Sequence, residues 1–348
     1  MWKYRLKPAL YAVLAVPVLA VAVLGWRGSQ FLNAAMSIPG DSVVFEIPAG
    51  TAFAAISRDL AGRGYIEHPD WFRWYARLTG QAESVRAGEY RIDAGTTPRQ
   101  LLQNFVAGDV QLYSFTIIEG WTFRELIAAL AASDTVEGGL DFEDWPAVLE
   151  SFGAGEGHPE GLFLPETYRF PKGTSGVDIL RQSYTLMQKT LLEEWQGRAE
   201  NLPITSPYAT LILASIVEKE TALASERPRI AGVFVRRLEK KMRLQTDPTV
   251  IYGIGVAFNG NLTRRDLRTD TPYNTYTRRG LPPTPIALPG RAAINAALHP
   301  AAGTELFFVA SGLGDGSHKF SDTKAEHDIA VQEFLRRRRA LRDNARGQ

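Results

Sequence analysis

The stretch PYATLILASIVEKETALASERPRIAGVFVRRLEKKMRLQTDPTVIYG, residues Pro207 to Gly253, decides how the chain is read. Its first half predicts a helix from about Tyr208 to Ser225, stopped by Pro228, because proline disfavours helical geometry in the residue before it. Glu218 and Glu220 interrupt the apolar run, and at about 100° per residue they point to nearly opposite sides. On that wheel Glu220 shares its face with Leu213, Ile216, Val217, Leu223 and Ala224, whereas Glu218 lies nearer Ala214, Ser215, Thr221 and Ala222. A glutamate among apolar neighbours has its charged form disfavoured, so its pKa moves up towards the ~6–7 that suits a general acid at neutral pH. The competing reading makes Glu220 a boundary residue, solvated or paired with Lys219, Arg227 or Arg229.

Downstream of Glu220 the chain is unusually polar for a core. A helix is predicted over Ile230 to Leu238, followed by MRLQTDPTVIYG and TPYNTYTRRGLPPTPIALPG. Gln245, Asp247, Tyr273, Asn274 and Tyr276 offer amides, a carboxylate and aromatic faces, the mixture that holds sugars by hydroxyl hydrogen bonds and ring stacking. Each alone is equally ordinary turn chemistry. The segment GTELFFVASGLGDGSHKFSD reads as a β-hairpin, with a last helix from about Thr323.

Upstream, the chain opens with an uncharged apolar run from Pro8 to Trp26, about the ~20 residues that cross a bilayer as a helix. Lys3, Arg5 and Lys7 precede it, which places the amino terminus in the cytoplasm and the rest outside. A cleaved signal peptide is the alternative, with Ala20-Val21-Ala22 as a small-residue site. The run continues to an interfacial Trp26, so an uncleaved anchor over residues 1–28 is expected.

Three segments share one pattern: VVFEIPAGTAFAAISRDL from Val43, YRIDAGTTPRQLLQNFVAG from Tyr90 and FTIIEGWTFRELIAALAA from Phe115. Each reads as strand, glycine turn, Thr N-cap and amphipathic helix, with capping-box spacing at Thr97/Gln100 and Thr122/Glu125. With a helix from about Pro69, the order from Val43 to about Arg91 is strand–helix–helix–strand. This small α+β module, bounded at 41–109, resembles a LysM module, which would imply glycan binding. Trp71, Phe72, Trp74 and Tyr75 are as well explained as core or interface residues. From 110 to 340 a mixed α+β domain follows, with a short helix around Trp145, a glycine-rich loop, a compact turn carrying Glu166, and a long helix over Val177 to Gly197.

Composition narrows the function. A net charge of +1 gives no case for nucleic acid, and Arg336 to Arg339 read as a solvated helix face. The absence of cysteine removes disulfides, thiolate metal sites and cysteine nucleophiles. No GxSxG, HExxH or GxxxxGK[ST] motif is present. His299, His318 and His327 fall on different predicted elements, so no metal site is expected from them.

The runs SIVEKETA, SER, MRLQTDPTVIYG, YNTY, GLPPTPIALPG, HPA and FFVA together resemble the YceG-like endolytic murein transglycosylases. The resemblance implies an inner-membrane, single-pass protein with a periplasmic catalytic domain. It also implies cleavage of the β-1,4 bond between N-acetylmuramic acid and N-acetylglucosamine in nascent glycan strands, without a cofactor. In the family the acid is the second Glu of E-K-E, which falls on Glu220; Gln245, Asp247, Asn274, Tyr276 and Glu166 are the expected substrate-binding residues. Contact with peptidoglycan synthases follows by analogy alone. The pattern F-x-N-R-L departs here, with Arg236 in place of Asn. Two rival readings stay open: an inverting hydrolase pairing Glu220 with Asp247 or Glu166, and a non-catalytic membrane-tethered glycan-binding scaffold. On the transglycosylase reading, replacing Glu218 with Gln should change little.

Overall fold

The computed structural model describes residues 7–138, 145–154 and 157–346, with side chains from residue 15 to residue 340 within those ranges. Lys3 and Arg5 of the expected cytoplasmic tip, and Gly155 and Glu156 of the glycine-rich loop, lie outside the described residues. The chain forms two compact units, one running to Tyr113 together with Arg169–Lys172, the other comprising Ser114–Tyr168 and Gly173 onward.

The first unit begins with α1 (Lys7–Asn33), which contains Pro17 and continues past Trp26 without a break. Its stretch Ala15–Asn33 is long and apolar enough to cross a membrane, and almost none of it is buried. At its end the environment changes: Leu32 and the following Met36 are buried in the core of the unit. Then come β1 (Ser42–Ile47), α2 (Phe53–Gly62), α3 (Pro69–Leu78), β2 (Gly88–Asp93) and α4 (Pro98–Ala107). β1 and β2 are antiparallel, Ser42 opposite Asp93 and Ile47 opposite Gly88. Period-two alternation turns Phe45 and Ile47 inward against Tyr90 and Ile92, and the helices close over them with Leu60, Phe72, Leu101 and Phe105. Of the α3 aromatics, Phe72 is core and Trp74 is exposed.

The repeated starts have a local cause. Thr97 and Thr122 each accept from the backbone N–H three residues on, and Gln100 and Glu125 reach back to the cap, so α4 and α5 (Phe123–Ala131) both open on a capping box. The first copy differs. Ala52, not Thr51, is the N-cap of α2, and no side chain caps it.

Strands β3 (Leu112–Thr116) and β4 (Thr167–Pro171) pair in a two-stranded sheet. The second unit holds α5, α6 (Trp145–Ser151), α7 (Gly176–Gln196), α8 (Pro207–Glu220), α9 (Arg227–Glu239), α10 (Asp247–Ile254) and α11 (Arg291–Leu298). The antiparallel hairpin β5 (Phe307–Ala310) and β6 (His318–Ser321) and the last helix α12 (Lys324–Arg346) follow.

Helix α8 is central, packed by α7, α9, α10 and α11. It ends at Glu220 and not near Ser225, because Thr221 is extended at φ −146° and ψ 134°. Pro228 does not stop it. That proline lies in the first turn of α9, where a missing N–H costs nothing. Every residue from Thr210 to Val217 is buried, so α8 has no solvated stripe, and Leu223 and Ala224 lie beyond it.

Glu218 is consequently no bystander. Its side chain is 4% exposed and its Oε1 accepts from Arg227 Nη2 at 2.9 Å, while Oε2 accepts the Gly290 backbone N–H at 3.0 Å. Arg227 also reaches Glu119 Oε2 at 3.2 Å. One carboxylate thus ties the end of α8 to the starts of α9 and α11. Burial pushes its pKa up, and the Gly290 N–H and Arg227 oppose that. Glu218→Ala should lower stability by about 3–5 kcal/mol, the usual cost of stranding one member of a buried pair. A fall in the chemical-unfolding midpoint checks this.

Candidate active site

Glu220 occupies the last position of α8, half-buried, and its Oε1 accepts a short hydrogen bond from the Thr246 hydroxyl. Thr246 is the N-cap of α10, where a threonine side chain ordinarily bonds its own helix; here it makes no cap bond and is given to Glu220 instead. The threonine is 2% exposed. Its backbone N–H donates to Thr275 Oγ1 at 3.1 Å, and its carbonyl accepts from Thr249 Oγ1 at 2.8 Å. The Thr249 and Thr275 hydroxyls are themselves 2.9 Å apart. Three buried threonines therefore fix the donor that holds Glu220.

The remaining wall comes from the segments beside them. Tyr276 donates its hydroxyl to Asp247 Oδ1 at 2.6 Å. Gln245 has a left-handed backbone at φ 53°, uncommon for a residue with a Cβ and a form of strain that gathers at functional sites. Its N–H is held by the Thr275 carbonyl at 3.2 Å. Arg237, 7% exposed, donates to the carbonyls of Leu306 at 2.6 Å and Leu244 at 2.7 Å. Glu220, Arg237, Gln245, Asp247 and Tyr276 all line one open cavity of about 440 Å³, together with Phe307, Phe308, His318 and His327.

Burial pushes the Glu220 carboxyl up to about 7, opposed by the Thr246 hydrogen bond, reinforced by the nearby Asp247 charge, and opposed again by His318 and Arg237. Oε1 accepts from Thr246, and among the described residues Oε2 makes no hydrogen bond. The Tyr276 hydroxyl is pushed up by burial and by its bond to Asp247. The group is thus an acid near neutrality, a carboxylate, a guanidinium and two imidazoles around a space of sugar size.

Two of the expected binding residues are elsewhere. Asn274 is fully buried; its amide donates to the carbonyls of Asp266, Leu267 and Thr269 at 3.2, 3.3 and 2.7 Å and its Oδ1 accepts the Tyr276 N–H at 2.8 Å. It is spent on building the loop that presents Tyr276. Glu166 is exposed before β4, its Oε1 on the Thr167 N–H at 2.9 Å, and it does not line the cavity. The buried carboxyl of that turn is Glu160, 3% exposed, on the Phe123 N–H at 2.9 Å and the Tyr252 hydroxyl at 3.0 Å. Tyr273 packs edge-on to Tyr252 at 4.9 Å. Arg236, the departure from F-x-N-R-L, donates to the Ala301 and Glu305 carbonyls at 3.0 and 2.8 Å and pins that loop to α9.

Sequence reasoning passed over Thr246, Arg237, His318 and His327. The histidines belong to β6 and α12 yet share the cavity, while His299 lies apart with Nε2 2.8 Å from the Gly197 carbonyl. The signals available were the QTDP and RL neighbours of residues already singled out, and a hairpin that returns beside α9.

Comparison with known proteins bears on this arrangement. The YceG-like family model matches residues 45–333. An endolytic murein transglycosylase of Bacillus subtilis is 30% identical over 311 residues, covering 84% of this chain and 85% of that protein. One from Streptococcus pneumoniae is 27% identical over 348 residues, covering 89% of this chain, which spans 62% of its length. A crystal structure of a yceG-like protein from Listeria monocytogenes superposes with a TM-score of 0.52 at 29% identity, over 83% of this chain and 99% of that one. With a match that takes in both compact units and the whole of the cavity around Glu220, the chain belongs to the YceG-like family.

Proposed function

We propose that the chain is an endolytic murein transglycosylase, cutting the β-1,4 bond between N-acetylmuramic acid and N-acetylglucosamine within peptidoglycan strands. The observation that carries the reading is a carboxyl raised to about 7 on the wall of an open cavity, with one oxygen held by Thr246 and the other left to carry a proton. The names of the relatives from Bacillus subtilis and Streptococcus pneumoniae support the same activity. The apolar α1 is the membrane tether, with the amino terminus cytoplasmic and both units in the periplasm.

Glu220 gives its proton to the glycosidic oxygen as the bond breaks through an oxocarbenium-like state. The C6 hydroxyl of the muramic residue then closes on C1 and loses its proton to a base on the cavity wall, leaving a 1,6-anhydro end. One carboxyl can make both transfers in turn, and that is the minimal form of the reaction. Arg237 and Asp247 set the field around the positive ring, Asp247 as the anion and Arg237 as the counterweight that keeps Glu220 able to ionise. Gln245 and Tyr276 are the contacts for sugar hydroxyls and ring faces.

Because Asp247 shares the cavity, a hydrolase that activates water is the second reading. Mass analysis of products separates them: anhydro ends carry no added water, and reducing ends carry one. Glu220→Gln keeps an acceptor for Thr246 and should cut turnover by at least ~10²–10⁴-fold with the unfolding midpoint unchanged.

The acid must be protonated to act, so activity should fall as pH rises through about 7. Thr246→Val removes a donor that favours the carboxylate, which raises the Glu220 pKa further. That alkaline fall should move to higher pH, measured as the pH dependence of kcat/KM.

A further inference from the structure

We infer that His318, locked by Glu226, is a second proton-transferring residue of this cavity, its Nε2 taking the proton released by the C6 hydroxyl. The inference rests on the transglycosylase reading and assigns the step that the minimal mechanism leaves to Glu220.

Glu226 precedes α9 as its N-cap but makes no cap bond with its side chain. Both oxygens go to one residue across the fold: Oε1 accepts the His318 backbone N–H at 2.9 Å and Oε2 meets His318 Nδ1 at 2.7 Å. An ionised carboxylate only accepts hydrogen bonds, so Nδ1 is the donor to Glu226 and Nε2 is the nitrogen left to accept a proton. Phe308, edge-on at 5.5 Å, walls the ring. The imidazole is 12% and the carboxylate 16% exposed, and His318 lines the cavity that Glu220 also lines. Among the described residues Nε2 makes no hydrogen bond.

Besides fastening the hairpin to the start of α9, the bond sets an imidazole on the wall of the cavity that Glu220 lines. The charged and titratable neighbours come from every side: Glu226 before α9, Glu220 at the end of α8, Arg237 on α9 and Asp247 at the start of α10. Tyr276, Lys324 and His327 complete them.

The step balances. The C1–O4 bond breaks as Glu220 protonates O4; O6 bonds to C1 and gives its proton to Nε2; the imidazolium faces the Glu226 carboxylate and later returns the proton to Glu220. Nothing is oxidised, reduced or added.

The test measures cleavage of purified glycan strands by the full-length chain in detergent across pH, for wild type, His318→Gln, Glu226→Gln and Glu220→Gln. We expect His318→Gln to lose roughly 10²-fold in kcat, with added imidazole restoring part of the rate. In Glu226→Gln the amide can donate to Nδ1, which moves the ring proton to Nε2 and should cost at least about tenfold in kcat at an unchanged unfolding midpoint. If His318→Gln keeps the wild-type rate, or loses rate and midpoint together with no imidazole rescue, the assignment is overturned. Full activity in Glu220→Gln would instead overturn the reading beneath it.

Discussion

A carboxyl group gives up ionisation when its water is replaced by protein, and the second unit is arranged around imposing that on Glu220 while leaving it a single hydrogen bond. The burial comes from α8, apolar on all sides and enclosed by four helices. The hydrogen bond comes from Thr246, taken away from the helix it would otherwise cap. Holding that threonine requires Thr249 and Thr275, holding Thr275 beside it requires the loop that Asn274 fills from within, and the approach forces Gln245 into a left-handed backbone. Each of these features is weak alone, and together they set one donor against one carboxylate oxygen.

Three carboxyls whose pKa burial raises show why burial alone does not define the site. Glu218 has Arg227 and a backbone N–H, partners that suit its charged form, and it serves as a tie between helix ends. Glu160 is raised to about 7, as Glu220 is, yet its oxygens are taken by the Phe123 N–H and the Tyr252 hydroxyl and it does not reach the cavity. Only Glu220 combines a raised pKa with an oxygen left uncommitted beside open space. The distinction is geometric, and the shift in pKa follows from it.

What could be read from the sequence was local. Thr97 with Gln100 and Thr122 with Glu125 specify helix starts through contacts three residues apart, so their spacing sufficed. The wheel favoured Glu220 over Glu218, but on a face that did not exist, since α8 is buried on every side from Thr210 to Val217 and stops before Leu223. Thr221 turning extended has no mark in composition. Asn274 and Glu166 misled because an amide or a carboxylate in a polar loop looks the same whether it faces a ligand or its own backbone. His318 and Arg237 were out of reach for the opposite reason: their partners, Glu226 and the Leu306 carbonyl, are 92 and 69 positions away in the chain.

The first unit has a constraint of its own, at the junction between its apolar helix and its core. A flexible tether would let a bound enzyme sample a region that widens with linker length. Here α1 continues as one helix from its apolar run to Asn33, and Leu32 and Met36 are core residues of the strand–helix–helix–strand unit. No slack separates the apolar helix from the fold, because melting the junction would expose that core. The direction in which α1 leaves the first unit is therefore set by core packing and not by a linker.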